Sequence, residues 1–477
     1  MQNIFIGRVQ EREILAKTLS SPDPELVAVV GRRRIGKTYL VRQCFDACLD
    51  FEVTGLQHVT QKEQLQNFVY HIKKWSAGAV APPQPQNWLE AFQFLADYLD
   101  TKSKDSKLVV FFDELPWMAS RKSGFLAGLS FFWNSWATRK NIVVIICGSA
   151  ASWIVQKVVD DKGGLHNRIT KRIDLQPFNL YETELFLKSR QVNLSRYQIL
   201  QIYMALGGVP HYLKEIENGK SAAQNIDKIC FAQSAQLKNE FSRLYPALFE
   251  NAENHVAVVR ALAGKWKGMT RKEIIEASKL PEGGGTTRIL EELLMSGFIA
   301  MYNPFGKKRK DTFYRLTDEF SLFFLEFMEN KRYQYLEVWQ QLSQTPAYKS
   351  WSGYAFESIC IKHIAQIKKA LGISGVYAEA SSFIGKNNEK GLQIDLVLDR
   401  KDQIINLFEI KFYNQIWQLT KSDAAALTAR KELFRDLSKT KKHIFLTVLS
   451  TFGIQQNEHS LGVVDNNLTM DCLFEPD

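Results

Sequence analysis

The sequence predicts an α/β protein of several domains, and three observations carry that expectation. Residues 26–30 (LVAVV), 107–114 (KLVVFFDE) and 141–149 (NIVVIICGS) are apolar on both faces, as central strands of a parallel sheet are. Helical patterns alternate with them, among them KEQLQNFVYHIKKW at 62–75 and WLEAFQFLADYL at 88–99. The chain has 477 residues, which at roughly 100–200 residues per domain suggests two to four domains.

Later stretches change character. SAGAVAPPQPQN at 76–87 reads as a loop. After about 175 the patterns are helical and apolar strand runs stop: YETELFLKSR, RYQILQIYMALGG, SAAQNIDKICFAQ. In 255–330, HVAVVRALAGKW, MTRKEIIEASK (opened by a Thr cap) and GGTTRILEELLMSGFI give three helices. AMYNPF and DTFYRLTD then flank the basic turn GKKRK as a two-stranded wing, so the segment reads as a winged helix-turn-helix. The last part holds a helix (YAFESICIKHIAQIKKAL), the strands LQIDLVLD and IINLFEIKF, a second helix and the strand KHIFLTVLS. The expected division is 1–175, an α/β core; 176–250, a helical subdomain; 251–335, the winged helix; and 336–477, a second α/β domain.

Composition bounds the function. Hydrophobic residues make up 45% and charged residues 23%, which excludes long disorder. The net charge of +10 fits a polyanion partner, subject to where the charge lies. The six cysteines include no C-x-x-C, so neither a zinc site nor a disulfide framework is indicated, and free thiols suit a reducing compartment. The start, MQNIFIGRVQEREIL, is not a signal peptide, and IVVIIC is far shorter than the ~20 residues that span a bilayer. A cytoplasmic protein without membrane contact is expected.

GRRRIGKT at 31–38 matches G-x-x-x-x-G-K-[ST] between an apolar strand and a helix. Gly31 and Gly36 let the backbone wrap a phosphate with its N–H groups inward, beside a helix N-terminus. Lys37 would reach the β- and γ-phosphates of ATP and Thr38 would ligate Mg²⁺. Arg32, Arg33, Arg34 and Ile35 fill the turn, where the motif asks only for backbone, and the arginines are expected to point outward; Tyr39 follows. Asp113 and Glu114 end an apolar strand, Asp113 to hold Mg²⁺ and Glu114 to activate the attacking water. The plain alternative is a strand that ends in solvated carboxylates.

FIGRVQERE at 5–13, AVVGRRRIGKTYLV at 28–41, VVFFDELPWM at 109–118, IICGSA at 145–150, RITKRIDLQPF at 168–178 and GGVPHYL at 207–213 resemble the archaeal-type P-loop ATPases of the AAA+/STAND class. The resemblance covers about the first 330 residues. It implies a P-loop NTPase sheet, with Phe5, Ile6, Gly7 and Arg8 near the adenine and Ser149 as the polar sensor of the γ-phosphate. It also implies Pro210 near the base, and Arg168 or Arg172 as an arginine finger serving a neighbouring subunit of a homo-oligomer. For the two arginines, surface ion pairs are the equal alternative.

The wing sets Lys307, Lys308, Arg309 and Lys310 in one turn, with Arg288 near the start of the third helix. Phosphate contact by the wing and groove contact by the helix would bind DNA with strong salt dependence. The alternative is a winged helix used for protein contact. In GLQIDLVLDRKDQIINLFEIKF, Asp395 lies on one strand of a hairpin, and Glu409 and Lys411 lie two apart on one face of the next. Two carboxylates offer hard oxygens to Mg²⁺ or Mn²⁺, and a lysine beside them can activate water. Glu357, on the preceding helix, adds a third. The D…E-x-K pattern with a helix glutamate resembles the PD-(D/E)XK nucleases, which implies a restriction-endonuclease-like fold; Ile394 stands where the motif's name has proline. A β-hairpin with a salt-bridged face is the competing account. The expectation is an ATPase that controls a metal-dependent DNA nuclease, set against a signalling or scaffold ATPase that binds without cutting.

Overall fold

The computed structural model describes residues 5–102, 106–120, 123–149, 151–159, 164–165, 167–307, 312–331, 333, 337–386 and 391–476. The chain divides into two compact units, one of residues 1–176, 248–250 and 291–297, the other of the remainder.

The first unit is built on a five-stranded sheet: β1 (Glu25–Val30), β2 (Phe51–Thr54), β3 (Leu108–Asp113), β4 (Ile142–Gly148) and β5 (Lys171–Asp174), in the order β2-β3-β4-β1-β5. Every pairing is parallel. Strand side chains alternate between two cores, because successive residues of a strand point to opposite faces. Leu26, Ala28, Val110, Phe112, Val144 and Ile146 pack with the helices Gln61–Trp75 and Trp88–Asp100. Val27, Val29, Val109, Phe111, Val143 and Ile145 pack with Val9–Ser20 and Lys37–Phe45. β1, β3 and β4 are buried at every position, which is why they read as unbroken apolar runs. β2 and β5 do not: FEVT is short and half-buried in alternation, and KRID is an edge strand with one buried residue. Helix starts are locally specified. Thr60 and Glu63 form a capping box, and the Asn87 side chain accepts from Glu90 N.

The second unit opens with helices, including Leu180–Ser189, Arg196–Leu206 and Pro210–Leu213. The stretch GGVP packs by its backbone: Phe178 N donates to Gly208 O at 2.7 Å, and a Cβ on Gly208 would fall 1.8 Å from Phe178 O. The helices Ala252–Ala263 and Arg271–Ser278 follow, the second with the capping box Thr270/Glu273. A small antiparallel sheet then joins β6 (Met269–Thr270), β7 (Ile299–Tyr302) and β8 (Phe313–Leu316) in the order β6-β8-β7, one strand more than the expected wing.

A mixed sheet follows: β9 (Ala378–Lys386), β10 (Gly391–Arg400), β11 (Ile404–Lys411), β13 (His443–Ser450) and β15 (Asn466–Thr469), in the order β15-β13-β11-β10-β9. β12 (Trp417–Gln418) and β14 (Ile454–Gln455) pair separately. β9–β10 and β10–β11 are antiparallel; β11–β13 and β13–β15 are parallel. The expected helix at 354–371 starts earlier, at Pro346, and breaks at His363 into Pro346–Lys362 and Ile364–Ala370.

Candidate functional site

In the first unit, backbone conformation builds the turn. Gly31 has φ 150°, Arg34 φ 72° and Gly36 φ 94°, and glycine enters this region most freely. Gly31 also meets a steric limit, since a Cβ there would stand 2.5 Å from Leu175 O. The turn delivers Lys37 to the first position of a helix, buried, with Nζ donating to Arg32 O at 2.9 Å. The ammonium thus rests on its own loop, where a phosphate oxygen would replace the carbonyl. Arg32 departs from the outward orientation expected: it is buried, 6% exposed. Arg33 and Arg34 are half-buried and Tyr39 is exposed.

The acids arrive from β3. Thr38 Oγ1 donates to Asp113 Oδ2 at 2.9 Å. Glu114 lies in the left-handed region at φ 49°, and its N–H donates to Asp113 Oδ1 at 3.0 Å. Ser149, just past the end of β4, donates to Glu114 Oε2 through N at 3.0 Å and Oγ at 2.9 Å. Burial, then the Glu114 charge, push the Asp113 carboxyl above its ordinary range, against Thr38, the Cys147 thiol and Lys37. A divalent cation would relieve both causes, so these residues fit Mg²⁺.

Phe5 stacks on Tyr39 with centroids 5.6 Å apart, and Arg12 lies 5.2 Å over the Phe5 ring. Gly7 has φ 67°. Arg8, expected with Phe5, Ile6 and Gly7 near the adenine, is buried and donates to Ile35 O of the turn at 3.3 Å. Arg172 is exposed and pairs with Asp174 at 2.7 Å, the surface ion pair weighed against the finger; Arg168 is exposed. Pro210 belongs to the second unit, where it begins the helix Pro210–Leu213.

In the second unit, β10 slips by one residue against β9 between Ile394 and Val397. Both residues enter the core though they are three apart, so Asp395 and Leu396 form a bulged pair opposite Ser382. Bulges of this kind re-aim side chains. On β11, Glu409 and Lys411 share a face as expected and pair at 2.9 Å. Carried past its bonded pairs, the β10–β11 register (Val397↔Leu407) sets Asp395 opposite Glu409. Arg430, unforeseen because it lies 21 residues on along the helix Lys421–Ser438, takes the other Glu409 oxygen and donates to Gln393 O at 3.1 Å. Both oxygens of Glu409 therefore carry cationic partners. Burial opposes the charge on Lys411, but Glu409 outweighs it and the ammonium ends above its ordinary pKa. Burial, then the Asp395 charge, raise Glu357 to about 7.

Among the described residues no three His, Cys, Asp or Glu side chains stand together to hold a metal ion. Of the expected DNA contacts, Arg288 is exposed on the helix Gly284–Met295 and Lys307 is exposed. Lys308, Arg309 and Lys310 lie outside the described residues. Among the described residues no helix is long and apolar enough to cross a membrane.

Known proteins bear on the first site. Residues 5–216 match the model of a family described as an ATPase domain predominantly from Archaea. The uncharacterized protein MJECL04 of Methanocaldococcus jannaschii is 22% identical over 450 residues, 93% of each chain. Among solved structures, the Walker-type ATPase PABY2304 of Pyrococcus abyssi is 18% identical with a TM-score of 0.52, covering 68% of this chain and 97% of that one. The ORC2 protein of Aeropyrum pernix, solved with ADPNP and ADP, is 16% identical at a TM-score of 0.43, covering 72% and 98%. Over residues 5–216 the chain carries an ATPase domain of the archaeal type.

Proposed function

We propose that the protein is an ATP-switched DNA-processing enzyme. ATP is bound and hydrolysed in the first unit, and its hydrolysis governs a metal-dependent phosphodiesterase in the second. The observation that carries the first half is the contact of Thr38 with Asp113, beside a Lys37 that rests on a backbone carbonyl. In this reading Lys37 trades Arg32 O for phosphate oxygens, Thr38 and Asp113 hold Mg²⁺, and Glu114 orients and deprotonates the water. Ser149 holds Glu114 in place and would report the state of the γ-phosphate. Bound Mg²⁺ supplies the charge that neutralises the phosphates.

We read 251–335 as a winged helix and 336–477 as a nuclease-like domain. What supports this is the grouping of Asp395, Glu409 and Lys411 at the end of a hairpin, with Glu357 within their field. Asp395 and a neighbouring carboxylate would hold Mg²⁺ or Mn²⁺, with Lys411 beside the attacked phosphate. The exposed Arg288 and Lys307 and the net charge of +10 support DNA as the polyanion. One observation favours the scaffold alternative: Lys411 and Arg430 already hold both oxygens of Glu409.

The test is incubation with plasmid and single-stranded DNA plus Mg²⁺ or Mn²⁺, beside Asp395→Ala. Metal-dependent cleavage that Asp395→Ala abolishes is expected. Absence of cleavage with either metal and either substrate would favour the scaffold.

A further inference from the structure

Within the second unit, helices of the expected helical subdomain are fastened to the C-terminal region at three points. Leu180 N, at the start of the helix Leu180–Ser189, donates to His363 Nε2 at 3.1 Å, and both residues are buried. Arg196, the first residue of the helix Arg196–Leu206, pairs with Asp471 at 3.1 Å and lies 5.1 Å over the Phe474 ring. Tyr197, beside it, stacks on Phe412 with centroids 5.6 Å apart and planes inclined by 13°. Its ring also lies 5.2 Å from that of Phe452.

The third point falls on the ends of two strands. β11 and β13 run parallel and end at Lys411 and Ser450, which are register partners. Phe412 follows Lys411 directly, and Phe452 lies just beyond Ser450. In open α/β sheets, ligands bind outside such carboxyl ends. Past Lys411 the chain leaves the strand: Thr451 N donates to Lys411 O at 3.2 Å, and Tyr413 N donates to Thr451 Oγ1 at 2.9 Å. Between these two bonds, the Phe412 ring is held by Tyr197 and by Phe356, whose centroid is 5.7 Å away. Phe356 immediately precedes Glu357 on the helix Pro346–Lys362. A run of three rings, Tyr197, Phe412 and Phe356, thus adjoins both Lys411 and Glu357 along the chain.

We propose that Tyr197 is a positioning residue for Lys411 and Glu357, so that the helix Arg196–Leu206 is a working part of the second site. This rests on the nuclease-like reading of the second unit and adds to it a residue from outside 336–477. The physical argument is stiffness. Lysine carries its charge on a flexible four-carbon stem, so it is aimed only as well as its backbone is held. Ring pairs prefer defined geometries, and Tyr197 fixes the ring next to that backbone. Without Tyr197, Phe412 keeps Phe356 but loses its stacked neighbour, and the backbone after Lys411 gains room to shift. A misplacement of about 1 Å can cost about 10²-fold in rate. The same run of rings is the route by which a shift of the helical subdomain would reach the site.

The full-length wild type, Tyr197→Ala, Tyr197→Leu and Tyr197→Phe are compared in plasmid cleavage with Mg²⁺ or Mn²⁺, with kcat and KM separated, and in amide exchange at Tyr413. Each is first checked for a wild-type circular-dichroism spectrum. Tyr197→Ala should lower kcat about tenfold or more with KM unchanged, and should speed exchange at Tyr413. Tyr197→Phe keeps the ring and should behave as wild type in both readouts. Tyr197→Leu keeps apolar cover without a flat face; it should show the same loss and stands in should Tyr197→Ala misfold. A wild-type kcat in the folded alanine or leucine variant, or unchanged exchange at Tyr413, overturns the positioning role and leaves the nuclease-like reading intact. An equal loss in Tyr197→Phe also overturns it, since the loss would then follow the hydroxyl and not the ring. No cleavage by the wild type with either metal overturns the nuclease-like reading, and this inference with it.

Discussion

The two acid clusters of this chain are assembled in opposite ways. At the end of β3, Asp113 and Glu114 receive hydrogen bonds from neutral donors: Thr38 Oγ1, Ser149 N and Oγ, and backbone N–H. The nearby cation, Lys37, rests on a carbonyl. At the end of the β10–β11 hairpin the cations sit on the acid itself, with Lys411 and Arg430 both on Glu409. In the proposed reading the first arrangement takes a cation and a polyphosphate with little rearrangement, because only the Thr38 and Ser149 hydroxyls need turn while the backbone donors stay fixed. The second must release an existing ion pair before it can ligate metal. One cluster is preorganised, and the other is held closed by its own charges.

That contrast can be broken by mutation. The largest effect expected is at Lys37. Lys37→Ala removes the ammonium that in the proposed reading meets phosphate, and should abolish ATP binding, read as loss of saturable nucleotide fluorescence, while Mn²⁺ binding in the second unit is unchanged. Retained hydrolysis would remove the nucleotide site from this turn.

Next in size is a hidden pH dependence of the second unit. His363 is buried, with Nε2 accepting from Leu180 N at 3.1 Å, and burial depresses its pKa to about 4. Its neutral form stabilises the fold fully above the ordinary histidine pKa, and that stability is lost as pH falls from about 6.5 toward 4, by roughly 3 kcal/mol. Glu357 works the other way. With its pKa raised to about 7, the fold prefers it protonated, and stability is lost as pH rises from about 4.5 toward 7 by a similar amount. In metal-free urea unfolding the wild type should be nearly level over this range. His363→Gln should slope down with rising pH and Glu357→Gln should slope up. Parallel curves for all three would refute the burial assigned to these groups.

The smallest effect is expected at Arg430. Its guanidinium is 39% exposed, so screening limits its pair with Glu409 to about 1 kcal/mol. Arg430→Gln should therefore cost little stability, and that cost should shrink further in high salt. The same change frees one Glu409 oxygen and should alter Mn²⁺ affinity more than it alters the unfolding midpoint. An equal insensitivity of both would mean that the pair does not hold this cluster closed.

How much of this was legible in sequence follows from range. The turn at 31–38 reads directly because its geometry is local: glycines where φ is positive, lysine at the helix start. β1, β3 and β4 read directly because both their faces are buried. β5 was missed because an edge strand of mostly exposed residues has no apolar signature, and β9 because AEASSFIGK is largely polar and half-exposed. The hairpin carboxylates were found from two-residue periodicity. The partner that holds Glu409 was not, since Arg430 reaches it only through tertiary packing.

The central claim is that nucleotide state governs the second unit's chemistry. Its most direct measurement is the rate of plasmid cleavage in Mg²⁺ with ATP, with ADP and without nucleotide, for wild type and Lys37→Ala. The rate should depend on nucleotide in the wild type and be identical across all three conditions in Lys37→Ala. Cleavage by the wild type at one rate, whatever nucleotide is present, would contradict the account.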